Sequence, residues 1–322
     1  MLLFLAALAV SEGNFVVKDF RFASGETLPE VRLHYRTLGS PQNPAVLILH
    51  GTTGTGTQFL NDIFAGALFG PGQLLDTGRY FVILPDGVGH GGSSKPSDGL
   101  RAKFPHYAYA DMVELQHRLV TDGLGVKKLR LLMGTSMGCM HSWMWSEKWP
   151  RFMDATLALA CLPVQIAGRN RMMRRMILDD LNADDLRGAM QMLFVMTSAP
   201  LVQQKAAPTR DEADQWIEQW MQKRTPGEDK DDMYYAFDAS RDYDPSPGLE
   251  KIETRFLAIN SADDMINPPE LGILEREIKR VPHGRAVVLP IGPNTRGHGT
   301  HTNAVAWSNY LEELLRQTEV RR

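Results

Sequence analysis

The sequence predicts an α/β fold, a doubly wound and mostly parallel sheet carrying a helical insertion. Three observations predict it. Short apolar runs without polar alternation recur at Ala45–Leu49, Tyr80–Leu84, Leu129–Met133, Ala155–Cys161, Arg255–Ile259 and Ala286–Leu289. Such runs mark strands buried on both faces. Helix-length stretches stand between or after them, at Ala108–Leu124, from Met140 toward Pro150, and at Thr302–Arg316, and alternating strands and helices build a parallel sheet. From Pro163 to Pro247 strand runs vanish, and Arg, Met, Asp and Gln dominate Arg169–Leu181, Asp184–Thr197 and Asp211–Lys223. The expected organisation is a core of residues 1–162 and 248–322, interrupted by a helical lid at 163–247. A hairpin opens the fold, because Phe15–Phe22 and Val31–Leu38 both alternate around a turn at Gly25-Glu26.

Composition excludes several functions. The 322 residues carry a formal charge of −3, which gives no electrostatic case for nucleic acid. Two cysteines, Cys139 and Cys161, suggest neither a disulfide framework nor a zinc site, and Cys139 reads as a packed helix residue. Sixteen methionines are present, several between Met172 and Met196, where they suit an adaptable pocket wall or plain core filling. Residues 1–10 resemble the apolar region of an export signal, without a basic start, and are too short to span a bilayer. Export is therefore an open expectation, with the cytoplasm as its alternative.

Chemistry concentrates at Gly134-Thr-Ser-Met-Gly138, which follows the Leu129 strand and leads into a helix. This is the strand, G-x-S-x-G turn and helix of a nucleophile elbow, the signature of the α/β-hydrolase fold. Its glycines are required because side chains there would crowd the strand and helix on either side. A serine hydroxyl is a weak nucleophile and needs a base, which in turn needs an orienting group. In this fold the order is Ser, acid, His. Asp264, after the Arg255–Ile259 strand and four residues before Pro268, is the expected acid in preference to Asp263. His298, in the loop after the last strand, is the expected base, with His301 as fallback. The oxyanion needs two backbone donors, here the N–H of Met137 and, from the loop after Ala45–Leu49, that of Thr52.

Two decoys fall away. Gly87-Val-Gly-His-Gly-Gly92 fits a dinucleotide fingerprint literally, but Ser93–Gly99 cannot open the helix such a site requires. His298 and His301 lack a third metal ligand nearby. Neither a metal nor a cofactor is expected.

Beyond the elbow, the sequence resembles the homoserine O-acetyltransferase family. The segment Gly70-Pro-Gly-Gln-Leu-Leu-Asp-Thr-Gly-Arg-Tyr-Phe-Val82, then Phe104-Pro105, Asp111-Met112-Val113 and Gly134–His141, are similar to that family's motifs and follow their order. The resemblance implies a Ser136–Asp264–His298 triad and a covalent Ser136 ester. Asn170-Arg-Met-Met-Arg174 sits where the family has an N-x-x-Q-R element, which implies that Arg174 faces the pocket. Gly299 stands where the family carries aspartate, Cys139 replaces a glycine, and a tyrosine expected after Arg174 is missing. These departures favour hydrolysis of a small ester or related acyl substrate. The rivals are an acyl-CoA-dependent O-acyltransferase and a catalytically silent binding protein. A homodimer through the lid is a further expectation.

Overall fold

Burial on both faces separates inner strands from outer ones. The structure is a computed structural model that describes residues 9–319. Its strands are β1 (Val10–Arg21), β2 (Thr27–Leu38), β3 (Ala45–Leu49), β4 (Phe81–Pro85), β5 (Leu129–Thr135), β6 (Ala155–Leu159), β7 (Arg255–Ser261) and β8 (Gly284–Leu289). Every residue of β3, β4 and β6 is buried, whereas β1 is largely exposed. The eight strands form one sheet in the order β1-β2-β4-β3-β5-β6-β7-β8. β1 and β2 form the antiparallel hairpin, β2 meets β4 antiparallel, and the pairings from β4 across to β8 are parallel. Along β3, Val46 and Ile48 enter the apolar layer with Leu131 and Trp307, while Leu47 and Leu49 enter the opposite layer with Trp145. That is the period-two alternation of a strand with helices on both sides.

The helices are α1 (Ala65–Leu68), α2 (Tyr109–Arg118), α3 (Met137–Lys148), α4 (Gly168–Asn182), α5 (Leu186–Thr197), α6 (Pro200–Ala206), α7 (Arg210–Arg224), α8 (Lys230–Asp238), α9 (Ile273–Glu277) and α10 (Ser308–Gln317). Two boundaries differ from the sequence reading. The Ala108–Leu124 helix is regular only to Arg118 and finishes in a single π turn, Leu119–Gly123. The closing helix begins at Ser308 instead of Thr302, because Gly299–Thr302 and Ala304–Ala306 are tight 3-10 turns. Among the described residues no helix is long and apolar enough to cross a membrane. The apolar segment at the N-terminus lies outside the described residues up to position 8, and Val10 already belongs to β1.

Helices α4 to α8 lie between β6 and β7, and α4, α5, α7 and α8 share an apolar cluster of their own. Met173, Met190, Met196, Met221 and Met233 pack there with Phe237, joined by Ile266 from the segment after β7. Core filling therefore accounts for many of the methionines, although Met172 and Met176 face solvent. Gly87–Gly92 is a loop, with positive φ at Gly89 and Gly91.

The cysteines depart from expectation. Cys139 and Cys161 form a disulfide with Cα atoms 5.9 Å apart, a separation ordinary for a bridge. It joins the first turn of α3 to the chain just beyond β6, two buried segments that the parallel pairing of β5 and β6 brings side by side.

Candidate active site

The crevice lies where the sheet changes direction. β3 pairs with β4 on one side and β5 on the other, and in open α/β sheets such a switch point opens a site beyond the strands' carboxyl ends. Beyond β5 the chain turns through Ser136 at φ 54°, ψ −111° and enters α3. A non-glycine residue held at positive φ costs about 1–3 kcal/mol and persists only where its surroundings enforce it. The surroundings here are tight. A Cβ on Gly134 would strike the Gly138 carbonyl, and one on Gly138 would strike the Leu49 carbonyl of β3. Thr53 and Ala160 also have positive φ, and both line the same pocket as Ser136.

His298 Nε2 lies 2.8 Å from Ser136 Oγ, and His298 Nδ1 lies 2.9 Å from Asp264 Oδ2. With Nδ1–H donating to the carboxylate, Nε2 is free to accept the serine proton. Asp264 is buried, which pushes its pKa up. His298, the Ile266 N–H at 2.8 Å and the Asn267 amide at 3.1 Å outweigh that burial, so the net shift is downward. The carboxyl is thus held as a carboxylate.

His301 contacts His298 edge-on, with ring centroids 5.1 Å apart, and makes no hydrogen bond to Ser136 among the described residues. Burial and then the nearby His298 charge press its pKa down to about 3, against a small opposing pull from Asp264. A ring that stays neutral and points elsewhere is a wall of the pocket. Asp263 is also engaged differently from Asp264: it accepts from the Gly297 N–H at 2.8 Å and from the Ser261 hydroxyl.

Thr52 lies in the pocket lining, in the loop after β3. Gly51 before it touches Ser136, since a Cβ there would sit 3.4 Å from the Ser136 Cβ. Gln58 braces this loop: its amide donates to Thr135 Oγ1 at 3.0 Å, and its carbonyl accepts from the Gly51 N–H at 3.4 Å. Met137 opens α3, where the first N–H groups of a helix have no internal acceptor.

Arg174 projects from α4 into the pocket and is buried. Its guanidinium bonds Asn170 Oδ1 at 3.0 Å and Ser240 Oγ at 3.3 Å, and lies over the Phe237 ring at 5.5 Å. No carboxylate pairs with it among the described residues. Among the described residues, the buried Tyr109 hydroxyl and the Thr52 hydroxyl in this region meet no hydrogen-bond partner. Burial raises the Tyr109 phenol, and the Arg174 charge opposes that rise. The pocket has a volume of about 500 Å³, and α7 contributes Trp220 and Arg224 to it. The sequence offers Asp263 only as the less favoured acid, and it does not mark Asn267, Gln58, Tyr109 or Trp220. Each acts through contacts between distant segments, for which a sequence carries no spacing signal.

The alpha/beta hydrolase fold family matches the sequence over residues 44–291. The chain belongs to that family. A homoserine O-acetyltransferase of Methanohalophilus mahii is 34% identical over 184 residues, 51% of this chain and 38% of that protein. The α/β-hydrolase chain described here therefore spans well under two thirds of that relative's length. Among solved structures, esterase E22 superposes with a TM-score of 0.82 at 18% identity, covering 95% of this chain and 100% of that one. A homoserine O-acetyltransferase from Bacillus anthracis superposes with a TM-score of 0.82 at 19% identity, covering 95% and 97%. These likenesses establish a shared fold. They include both ester hydrolysis and acyl transfer among the named activities.

Proposed function

We propose that this α/β-hydrolase is a serine hydrolase that cleaves a small ester or related acyl bond through a covalent acyl-Ser136 intermediate. The observation that carries the reading is the continuous hydrogen-bonded line from Ser136 through His298 to Asp264, at 2.8 and 2.9 Å. Ser136 Oγ attacks the carbonyl carbon while His298 Nε2 takes its proton, and Asp264 stabilises the imidazolium that forms. The N–H groups of Thr52 and Met137 receive the oxyanion, each worth about 2.7–4 kcal/mol in such sites. His298 then returns the proton to the departing alcohol. It next deprotonates a water, which attacks the acyl-serine, releases the acid and restores Ser136.

Residues 163–247 are read as a lid over the core of 1–162 and 248–322, with Arg174 as a substrate contact. Labelling with a fluorophosphonate tests the centre. Ser136→Ala should abolish labelling and lower turnover on the order of 10⁶-fold. His298→Ala should match it, and His301→Ala should do far less. Undiminished labelling of Ser136→Ala would defeat the proposal.

One observation favours a second reading, O-acyl transfer to an acceptor bearing an anionic group. Among the described residues the buried Arg174 bonds the neutral side chains of Asn170 and Ser240 and pairs with no carboxylate, and a buried guanidinium so placed suits a carboxylate.

A further inference from the structure

Behind the catalytic pocket lies a second cavity of about 300 Å³, within the range of small-molecule sites. Its walls come mainly from two chain segments, with Met140 of α3 and Tyr243 completing them. The stretch after β6 supplies Leu162, Val164 and Ile166, and the stretch after β7 supplies Ile266, Leu271 and Ile273. Most of the surface that faces the cavity is apolar, with Gln165, Arg169, Asn170 and Tyr243 as polar-bearing members at its walls. Three residues, Met140, Ile266 and Asn267, belong to both this cavity and the catalytic pocket, so they form the partition between the two.

The partition sits directly beside the reacting serine. The Met140 N–H donates to the Ser136 carbonyl at 3.1 Å, one turn into α3. Asn267 is fixed, because its amide donates to the Ala160 carbonyl at 3.2 Å and to Asp264 at 3.1 Å. Passage between the cavities therefore depends on Met140 and Ile266. Methionine is unbranched and flexible, and it yields readily to an apolar group. An apolar cavity of this size offers water few partners and favours hydrocarbon.

We propose that this cavity binds the unbranched hydrocarbon chain of the substrate, entering past Met140 and Ile266 from the carbonyl held at Ser136. The proposal rests on the ester-cleaving reading above and extends its substrate class to esters with a medium-length aliphatic chain. The chain can be carried on the acyl side or on the alcohol side; the recognising chemistry is the same.

Binding to Ser136→Ala protein, measured calorimetrically, tests the cavity without requiring turnover. The probes are methyl butyrate, methyl octanoate and octyl acetate. Each methylene fully buried should tighten binding about fourfold, so the four extra methylenes of methyl octanoate should tighten it over methyl butyrate by up to about 250-fold, and by about tenfold if burial is only partial. A similar gain for octyl acetate alone would place the chain on the alcohol side. Adding Val164→Trp to fill the cavity, or Leu271→Asp to charge its exposed rim, should erase most of that gain, with folding of each checked by melting temperature. Affinity independent of chain length, or a chain-length gain that neither substitution reduces, would overturn the proposal. Failure of fluorophosphonate labelling in the unmodified protein would instead overturn the ester-cleaving reading, while the calorimetry would still decide whether the cavity takes hydrocarbon.

Discussion

Asp263 and Asp264 are neighbours in the chain yet hold different parts of one loop. Asp264 binds the ring of His298 at 2.9 Å, and Asp263 binds the Gly297 backbone N–H just before it at 2.8 Å. One carboxylate orients the imidazole; the other anchors the turn that presents it.

The two should therefore fail differently. Asp264→Asn keeps the shape but disturbs the tautomer of His298, and kcat should fall by about 10⁴-fold with little change in stability. Asp263→Ala strands the buried Gly297 N–H, costing about 1–3 kcal/mol of stability, with a smaller loss of kcat. Paired measurements of kcat and melting temperature check this. Equal catalytic losses from both would show that the division of labour is wrong.

Glu147 on α3 sets a pH dependence away from the site. Burial raises its pKa to about 7, helped by Asp244 and opposed by Lys251, the Gly248 N–H and Arg280. Below about pH 4.5 both folded and unfolded forms hold the proton. Between about 4.5 and 7 the folded state keeps a proton that the unfolded state has released, so stability falls as pH rises. Above pH 7 the loss is complete and constant. Glu147 is only partly buried, so solvent screening reduces the effect to the order of 1 kcal/mol. Glu147→Gln should remove this slope and raise the melting temperature at pH 8 relative to the parent. A melting temperature at pH 8 that is unchanged or lower would sink the assignment.

The Cys139–Cys161 bridge closes a separation of 22 residues between α3 and the end of β6. Bridges over loops of this size typically add about 2–4 kcal/mol. A reductant should therefore lower the melting temperature of the parent protein and leave that of the Cys139→Ala/Cys161→Ala double variant unchanged. Equal sensitivity of both proteins would mean that the bridge does not stabilise the fold.

Much of this architecture is legible because the physics that makes it is local. β3, β4 and β6 are buried on both faces and so appear as unbroken apolar runs. Ser136 is legible because the turn that exposes it demands glycine on either side within five residues. Asp264 and His298 follow from chain order, once a serine needs a base and the base an acid. The disulfide is not legible, since two cysteines 22 residues apart are equally compatible with free thiols until β5 and β6 pair. Gln58 and Tyr109 are silent for the same reason, and Asp263 is visible as a rival acid but not as the anchor of Gly297. Gln58 reaches Thr135, 77 residues away, and nothing near either residue in sequence announces the other. Arg174 stood out only through its likeness to a family element.

The acceptor of the acyl group is the remaining division between hydrolase and transferase. A transferase must hold an alcohol near His298 and keep water from the acyl-enzyme. Gly299, in the pocket lining beside His298, offers no side chain for that purpose. An aspartate there is sterically allowed, because the atoms nearest to a Cβ at position 299 would be those of the Arg296 side chain, at an ordinary 3.6 Å. It would, however, enter beside a guanidinium that, among the described residues, bonds the Gly299 carbonyl and the Thr302 hydroxyl and no carboxylate. The new carboxylate should pair with Arg296 and be of little use to an amine in the pocket. With an activated short-chain ester, the parent should show a burst and then steady hydrolysis that added homoserine does not accelerate. Gly299→Asp should behave similarly. Transfer from acetyl-CoA to homoserine by the unmodified protein, faster than hydrolysis at comparable concentrations, would make Arg174 the acceptor anchor and replace the hydrolase reading with the transferase one.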